Sequence, residues 1–265
     1  MKKTSPLAWV WLLIAAIYLL VPLLATLIFS LQAEARSGIP ISFLAYGKVL
    51  STPDFANNLA FSFGASILTI VIGTLLLVPT AYWVHLKMPF LLPILEFMTL
   101  LPIVIPVVVL VFGLITIYNR TFLTNSASGL YWLMIGSYVV ITFPYSYRPI
   151  SAALQAINVK TLTEASQSLG AGWGRILVAV IFPNIWVGVL NGAFITFAIV
   201  MGEFAISSIL GLPSFSVLMY SSNLNQVYEP AALAIISFGI TWAAIAILQF
   251  VGRRRSATGD VGGLR

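Results

Sequence analysis

Apolar residues fall into six long stretches separated by shorter polar segments. They run from about Leu7 to Leu31, Leu59 to Val84, Leu92 to Tyr118, Tyr131 to Tyr145, Asn184 to Phe204 and Ala231 to Val251. A membrane-crossing helix needs about 20 apolar residues, and each stretch meets or approaches that. The fourth is short as bounded and reaches Leu154 on a wider reading. The third is long, so its start is expected to lie flat at the inner surface. Between the fourth and fifth lies the one long, mildly polar run, Arg148 to Pro183. At its centre, Thr161 and Glu164 have the spacing of a capping box. Leu162, Ala165 and Leu169 recur at helical spacing on one face, and Gly170 supplies a left-handed stop. The pattern predicts a self-delimited helix of about nine residues, about 13 Å long. Its apolar face, set between spans, has the character of a docking element.

Composition supports the membrane reading. Of 265 residues, 60% are hydrophobic and 8% charged, against about 25% charged in soluble domains. The fold class expected is therefore an all-α integral membrane protein. Leu7 to Ser30 is too long for a signal-peptide core and reads as a retained first span. Without cysteine, neither disulfide nor thiol chemistry is available.

Charge sets the orientation. With the N-terminus inside, the inner segments hold ten of the 13 basic residues, Lys2, Lys3, Lys87, Arg148, Lys160, Arg175, Arg253, Arg254, Arg255 and Arg265. The outer segments hold Arg36, Lys48 and Arg120. The positive-inside bias predicts that both termini and the 148–183 loop are cytoplasmic. The outer segment Gln32 to Asn58, with Pro40 and Pro53, is expected to be a short structured loop. The net charge of +6 thus reflects orientation, and no nucleic-acid role is read into the terminal arginines.

Glu164-Ala165-Ser166, three residues, Gly170, nine residues, then Val180-Ile181-Phe182-Pro183 resembles the EAA loop of binding-protein-dependent ABC importer permeases. The family pattern is Glu-Ala-Ala, three residues, Gly, nine residues, Ile, any residue, Leu, Pro. This chain departs from it at Ser166, Val180 and Phe182, each small or apolar. The resemblance implies the type I importer permease fold, six transmembrane helices with a cytoplasmic coupling helix in one permease domain over 1–265. The ATPase-coupling residues it implies are Thr161, Glu164, Ala165, Ser166, Leu169, Gly170 and Pro183. It also implies partners: two ATP-binding cassette subunits, a second permease subunit (a different chain rather than a second copy) and a periplasmic or lipid-anchored substrate-binding protein. ATP and magnesium would be bound by the partner ATPase, with no cofactor in this chain. The location implied is the bacterial inner membrane. The layout is most similar to the spermidine/putrescine-type subgroup, with iron, thiamine and aminoalkylphosphonate importers close to it.

Four residues are candidates for the substrate path. Pro102 and Pro106 sit one turn apart in the third stretch, where each removes a backbone donor. They mark either a kinked, pathway-lining helix or an ordinary packed kink. Gly188 and Gly192 give a small-xxx-small packing face in the fifth stretch, with Asn191 beside it able to donate across helices or into a path. Glu203 stands near the outer end of that stretch. Buried ionisable groups in membranes mark pathways. With Glu203 and Glu229 at outer ends, and no Lys or Arg within the bounded spans, a small cation such as a polyamine is the expected substrate.

Enzyme readings fail on inventory. The one histidine, His85, is expected in an inner surface loop, so neither a metal site nor a serine–histidine pair is available. No phosphate-binding Gly-x-x-x-x-Gly-Lys-Ser/Thr loop occurs, and catalytic residues are not expected. A secondary transporter or channel is the alternative class; it predicts inverted repeats, which the sequence does not display.

Overall fold

The structure, a computed structural model, describes residues 6–34 and 41–259. Lys2, Lys3, Arg36, Pro40 and Arg265 lie outside them. The described residues are helical almost throughout, with no strand among them. In chain order the helices are α1 Pro6–Ser30, α2 Leu44–Ser51, α3 Phe55–Lys87, α4 Leu92–Val104, α5 Val107–Ile117, α6 Phe122–Asn125 and α7 Ala127–Ala156. There follow α8 Val159–Ser168, α9 Trp173–Arg175, α10 Phe182–Asn184, α11 Trp186–Gly202, α12 Ala205–Ile209, α13 Phe215–Asn225 and α14 Glu229–Gly259. The chain divides into two compact units, Met1–Asn57 with Leu218–Ile240, and Asn58–Val217 with Thr241–Arg265.

Each expected span has a helical counterpart, and among the described residues three are unbroken helices long and apolar enough to cross a membrane: Trp9–Ser30, Phe55–Lys87 and Ala127–Ala156. The fourth stretch extends to Ala156 because Pro144 and Pro149 are absorbed within α7. The third is not one span with a flat start. Pro89–Val104 and Val107–Ile117 meet at 97°. A residue before proline is pushed out of the α region, and Ile105, before Pro106, is extended at φ −78°, ψ 120°. The fifth stretch starts earlier than its apolar pattern indicates, since Trp173–Asn184 and Trp186–Gly202 form a second bent pair, at 75°. Between α9 and α10 the backbone is a π-helix, Ile176–Ile181. Pro183 has no N–H to continue the ladder, and next to it Asn184 Nδ2 donates to the Val180 carbonyl at 2.7 Å. The sixth lies in α14, Glu229–Gly259, whose apolar part includes Glu229–Ala244.

The larger unit is organised on α7. The expected small-residue face of α11 packs there: a Cβ at Gly188 would stand 2.5 Å from the Pro149 carbonyl oxygen, and one at Gly192 3.1 Å from Ser146 Cα. One turn further, Thr196 and Ser146 share a hydroxyl hydrogen bond at 2.8 Å. Close backbone approach closed by a side-chain hydrogen bond is how helices associate where lipid supplies no hydrophobic drive. In the smaller unit, Lys48 Nζ pairs with Glu229 Oε1 at 3.1 Å, and Tyr46 Oη shares a 2.7 Å hydrogen bond with Ser30 Oγ.

Candidate functional site

The polar run between the fourth and fifth stretches builds a short helix set on a core. α8 is ten residues, Val159–Ser168, about 15 Å at 1.5 Å per residue. It starts three residues before the capping box predicts, and Thr161 is not its cap. Asn158 is: its Oδ1 accepts from Thr161 N at 3.0 Å, satisfying a first-turn donor. Glu164 therefore does not reach back to a capping residue. It lies exposed with Lys160 Nζ 3.9 Å away, an i,i+4 pair of little energetic weight. The Asn158→Ala variant should cost α8 about 1 kcal/mol, seen as faster amide hydrogen exchange in its first turn, whereas Thr161→Ala should leave that exchange unchanged.

The C-terminal end follows expectation. Gly170 takes φ +80°, with Ala171 N donating to Ser166 O at 3.0 Å and Gly170 N to Gln167 O at 2.8 Å. That is the six-to-one and five-to-two pattern of a Schellman stop.

The face of α8 turned to the protein differs from the one its pattern suggests. Val159 and Thr163 are buried, Leu162 and Ser166 partly so, while Ala165 and Leu169 are exposed. Thr163 Oγ1 meets Tyr82 Oη at 3.0 Å inside the protein and also donates to Val159 O at 2.7 Å. Ser166 Oγ turns back onto Leu162 O at 2.7 Å. Beneath lies a core of Tyr82, Leu154, Val159, Ile176, Ile181 and Ile185. Beside it, Trp83 packs against Trp173 at 4.8 Å, and Lys87 Nζ stands 5.7 Å above the same ring. The periodicity identifies the helix but misassigns its face, because polar Thr163 is drawn inward by the buried Tyr82 hydroxyl. Leu169 is left 88% exposed, a large apolar side chain on an otherwise polar surface element. Pro183, which the resemblance also assigns to coupling, lies in α10.

The four path candidates do not converge. Pro102 lines an apolar cavity of about 370 Å³ beside Met98, Leu110 and Phe143, whereas Pro106 is exposed at the start of α5. Asn191 is exposed on α11, off the face carrying Gly188 and Gly192. Glu203 is engaged by its own surroundings: both carboxylate oxygens accept from Ile206 N at 3.0 Å, and Tyr138 Oη donates to Oε2 at 3.3 Å. It caps the first turn of α12. Glu229, the second carboxylate behind the cation reading, is held by Lys48. His85 is not in a loop: it lies in the last turn of α3, with Nδ1 2.8 Å from Ala81 O and Nε2 3.4 Å from Ser151 Oγ.

Bounded at Tyr145, the fourth stretch leaves Arg148 in the loop; on its wider bound, to Leu154, it includes Arg148. The structure places it within α7, lining a cavity of about 590 Å³ with Glu96, Tyr147 and Ser151. The signal that would have found it is the helical continuation past Pro149.

Residues 78–256 match the family described as "Binding-protein-dependent transport system inner membrane component". Among curated proteins, the chain is 29% identical over 122 residues to the molybdenum transport system permease protein ModB of Escherichia coli (strain K12), covering 43% of this chain and 53% of that protein. It is 27% identical over 137 residues to the spermidine/putrescine transport system permease protein PotC of the same organism, covering 49% and 52%. The matched region thus spans about half the length of these curated relatives. A solved structure titled "Crystal structure of an amino acid ABC transporter with histidines" aligns over 81% of this chain and 99% of that chain, with a TM-score of 0.57 and 20% identity. This last likeness is one of fold.

Proposed function

This chain belongs to the binding-protein-dependent transport system inner membrane components, and from that membership we propose that it is a permease subunit of an ATP-driven ABC importer. It would form half of a solute path across the inner membrane and couple to a cytoplasmic ATPase through α8. The observation that carries this reading is the construction of α8. It is capped at both ends, fixed to a core by Val159 and Thr163, and presents Glu164, Ala165 and Leu169 outward. A helix whose inner face is locked and whose outer face offers an apolar side chain is suited to carry motion from a docked partner.

The proposed assembly contains two ATPase subunits, a second permease and a solute-binding protein on the outer side, with both termini of this chain cytoplasmic. A chain without native cysteine permits a direct test. A single cysteine replacing exposed Ser168 should resist an impermeant maleimide in intact cells, react in inverted vesicles, and crosslink to the ATPase. Labelling in intact cells would reverse the orientation, and failure to crosslink would remove α8 as the docking element.

The cargo is proposed to be a small charged solute. Its likeness to PotC supports a cation such as a polyamine, whereas its likeness to ModB supports an oxyanion. Glu203 and Glu229 are both engaged within the protein, so it is the likeness to PotC that supports a polyamine.

A further inference from the structure

The bend between α4 and α5 falls in the middle of the third apolar stretch and leaves part of the backbone unpaired. α4 closes with Ile105 N donating to Leu101 O at 3.1 Å, and the first bond of α5 runs from Leu110 N to Pro106 O at 3.1 Å. Between them, the N–H groups of Val107, Val108 and Val109 meet no hydrogen-bond partner among the described residues, and neither do the carbonyls of Pro102, Ile103, Val104 and Ile105. Every residue over 101–111 is apolar, so no side chain of the bend can stand in. Other helix starts are treated differently: Ser126 caps α7, Asn158 caps α8 and Glu203 caps α12. The second bend, between α10 and α11, differs as well. There Ile185 is 0% exposed, its N–H donates to Ile181 O at 3.1 Å, and its carbonyl accepts from Val189 N at 3.1 Å. At the first bend Val104 is 76% exposed and Val109 60%.

Lipid tails offer nothing to a free N–H or carbonyl. Non-helical backbone at membrane depth persists only where protein covers it or where it lines water, and the described residues of this chain do not cover residues 104–109. We infer that the α4–α5 bend, residues 104–109, lines a water-filled part of the solute path, with its free amide and carbonyl groups hydrated there and able to meet a passing polar solute. The inference rests on the permease reading and gives that reading a path element. Pro106 builds the break into the sequence, since it lacks an N–H and keeps Ile105 out of the α region. The bend supplies donors on the α5 side and acceptors on the α4 side, with no fixed side-chain charge. It therefore accommodates polar solutes of either sign and leaves charge selection to other groups.

The test uses the whole importer, this chain expressed with its ATPase, second permease and solute-binding protein, in intact cells and in inverted vesicles. Single cysteines replace Val104, Ile105 or Val109, so that loss of one variant to misfolding leaves two. Val71→Cys and Leu75→Cys, exposed on the unbroken helix α3, are the controls. Only the thiolate reacts with a charged methanethiosulfonate, and apolar surroundings suppress its formation. At least one cysteine at the bend should react with the anionic or the cationic reagent about ten times faster than either control, the effect of one pKa unit on the thiolate fraction. A nitroxide on the same cysteine should be relaxed more by aqueous nickel-EDDA than by oxygen, which partitions into lipid. Reaction no faster than the controls from both sides of the membrane, with and without vanadate-trapped nucleotide, would overturn the inference. Relaxation chiefly by oxygen would then place the bend in lipid, and protection from both relaxants would place it in a dry contact with the second permease. ATPase crosslinking through Ser168→Cys is read separately. A dry bend with that crosslink intact removes the path element alone, whereas loss of the crosslink removes α8 as the docking element.

Discussion

Replacing Gly188 with leucine should sharply lower the yield and melting temperature of folded protein. A Cβ at this position would already stand 2.5 Å from the Pro149 carbonyl oxygen and 2.6 Å from Ala153 Cβ. The first neighbour is backbone, held in α7 by the helix itself, so the contact cannot be relieved by turning a side chain. Overpacking of this kind costs about 1–3 kcal/mol, sometimes more, and about 2 kcal/mol changes the folded-to-unfolded ratio about 30-fold. Gly192→Ala, whose nearest contact is 3.1 Å, should be milder. Gly136→Ala, on α7 with nothing within 4 Å, should match the parent protein. The measurement is the yield and melting temperature of monodisperse protein from detergent-solubilised membranes. If Gly188→Leu gave normal yield and melting, the α7–α11 contact would not be what organises the larger unit.

The second large effect concerns α8, and here folding and function should separate. Leu169→Asp places a charge where the side chain is 88% exposed, so yield and melting temperature should stay at parent values. ATP hydrolysis stimulated by the solute-binding protein, and uptake with it, should fall at least about tenfold, as for the loss of one apolar anchor at an interface. Gly170→Val acts differently. At φ +80° a side chain costs about 1–2 kcal/mol, so the helix end unwinds and coupling falls with local order. Glu164→Ala should reduce coupling without loosening the helix, because Asn158 rather than Glu164 completes its first turn. Normal uptake and normal ATP hydrolysis in Leu169→Asp and Gly170→Val would mean that α8 is not the ATPase contact.

What could be read from the chain alone are properties that follow from local pattern. The apolar stretches located the spans because an apolar run of that length has no other stable surroundings. Gly170 marked the end of α8 because a left-handed position selects glycine whatever surrounds it. The Gly188–Gly192 spacing predicted close packing for the same reason: the absence of two side chains is written in the sequence.

The remainder depended on contacts between segments distant along the chain. Asn158 displaced Thr161 as the cap because the helix start is set where α7 ends, not by the local box. The buried face of α8 turned on Tyr82, 81 positions from Thr163. Glu203 and Glu229 resembled free pathway carboxylates until the structure gave one a helix terminus and the other Lys48. Arg148 lines a cavity together with Glu96 because α7 runs on through Pro149. Hydropathy and turn chemistry are local and can be read residue by residue. The partner of a polar side chain is a choice among distant groups, and only the packed helices make it.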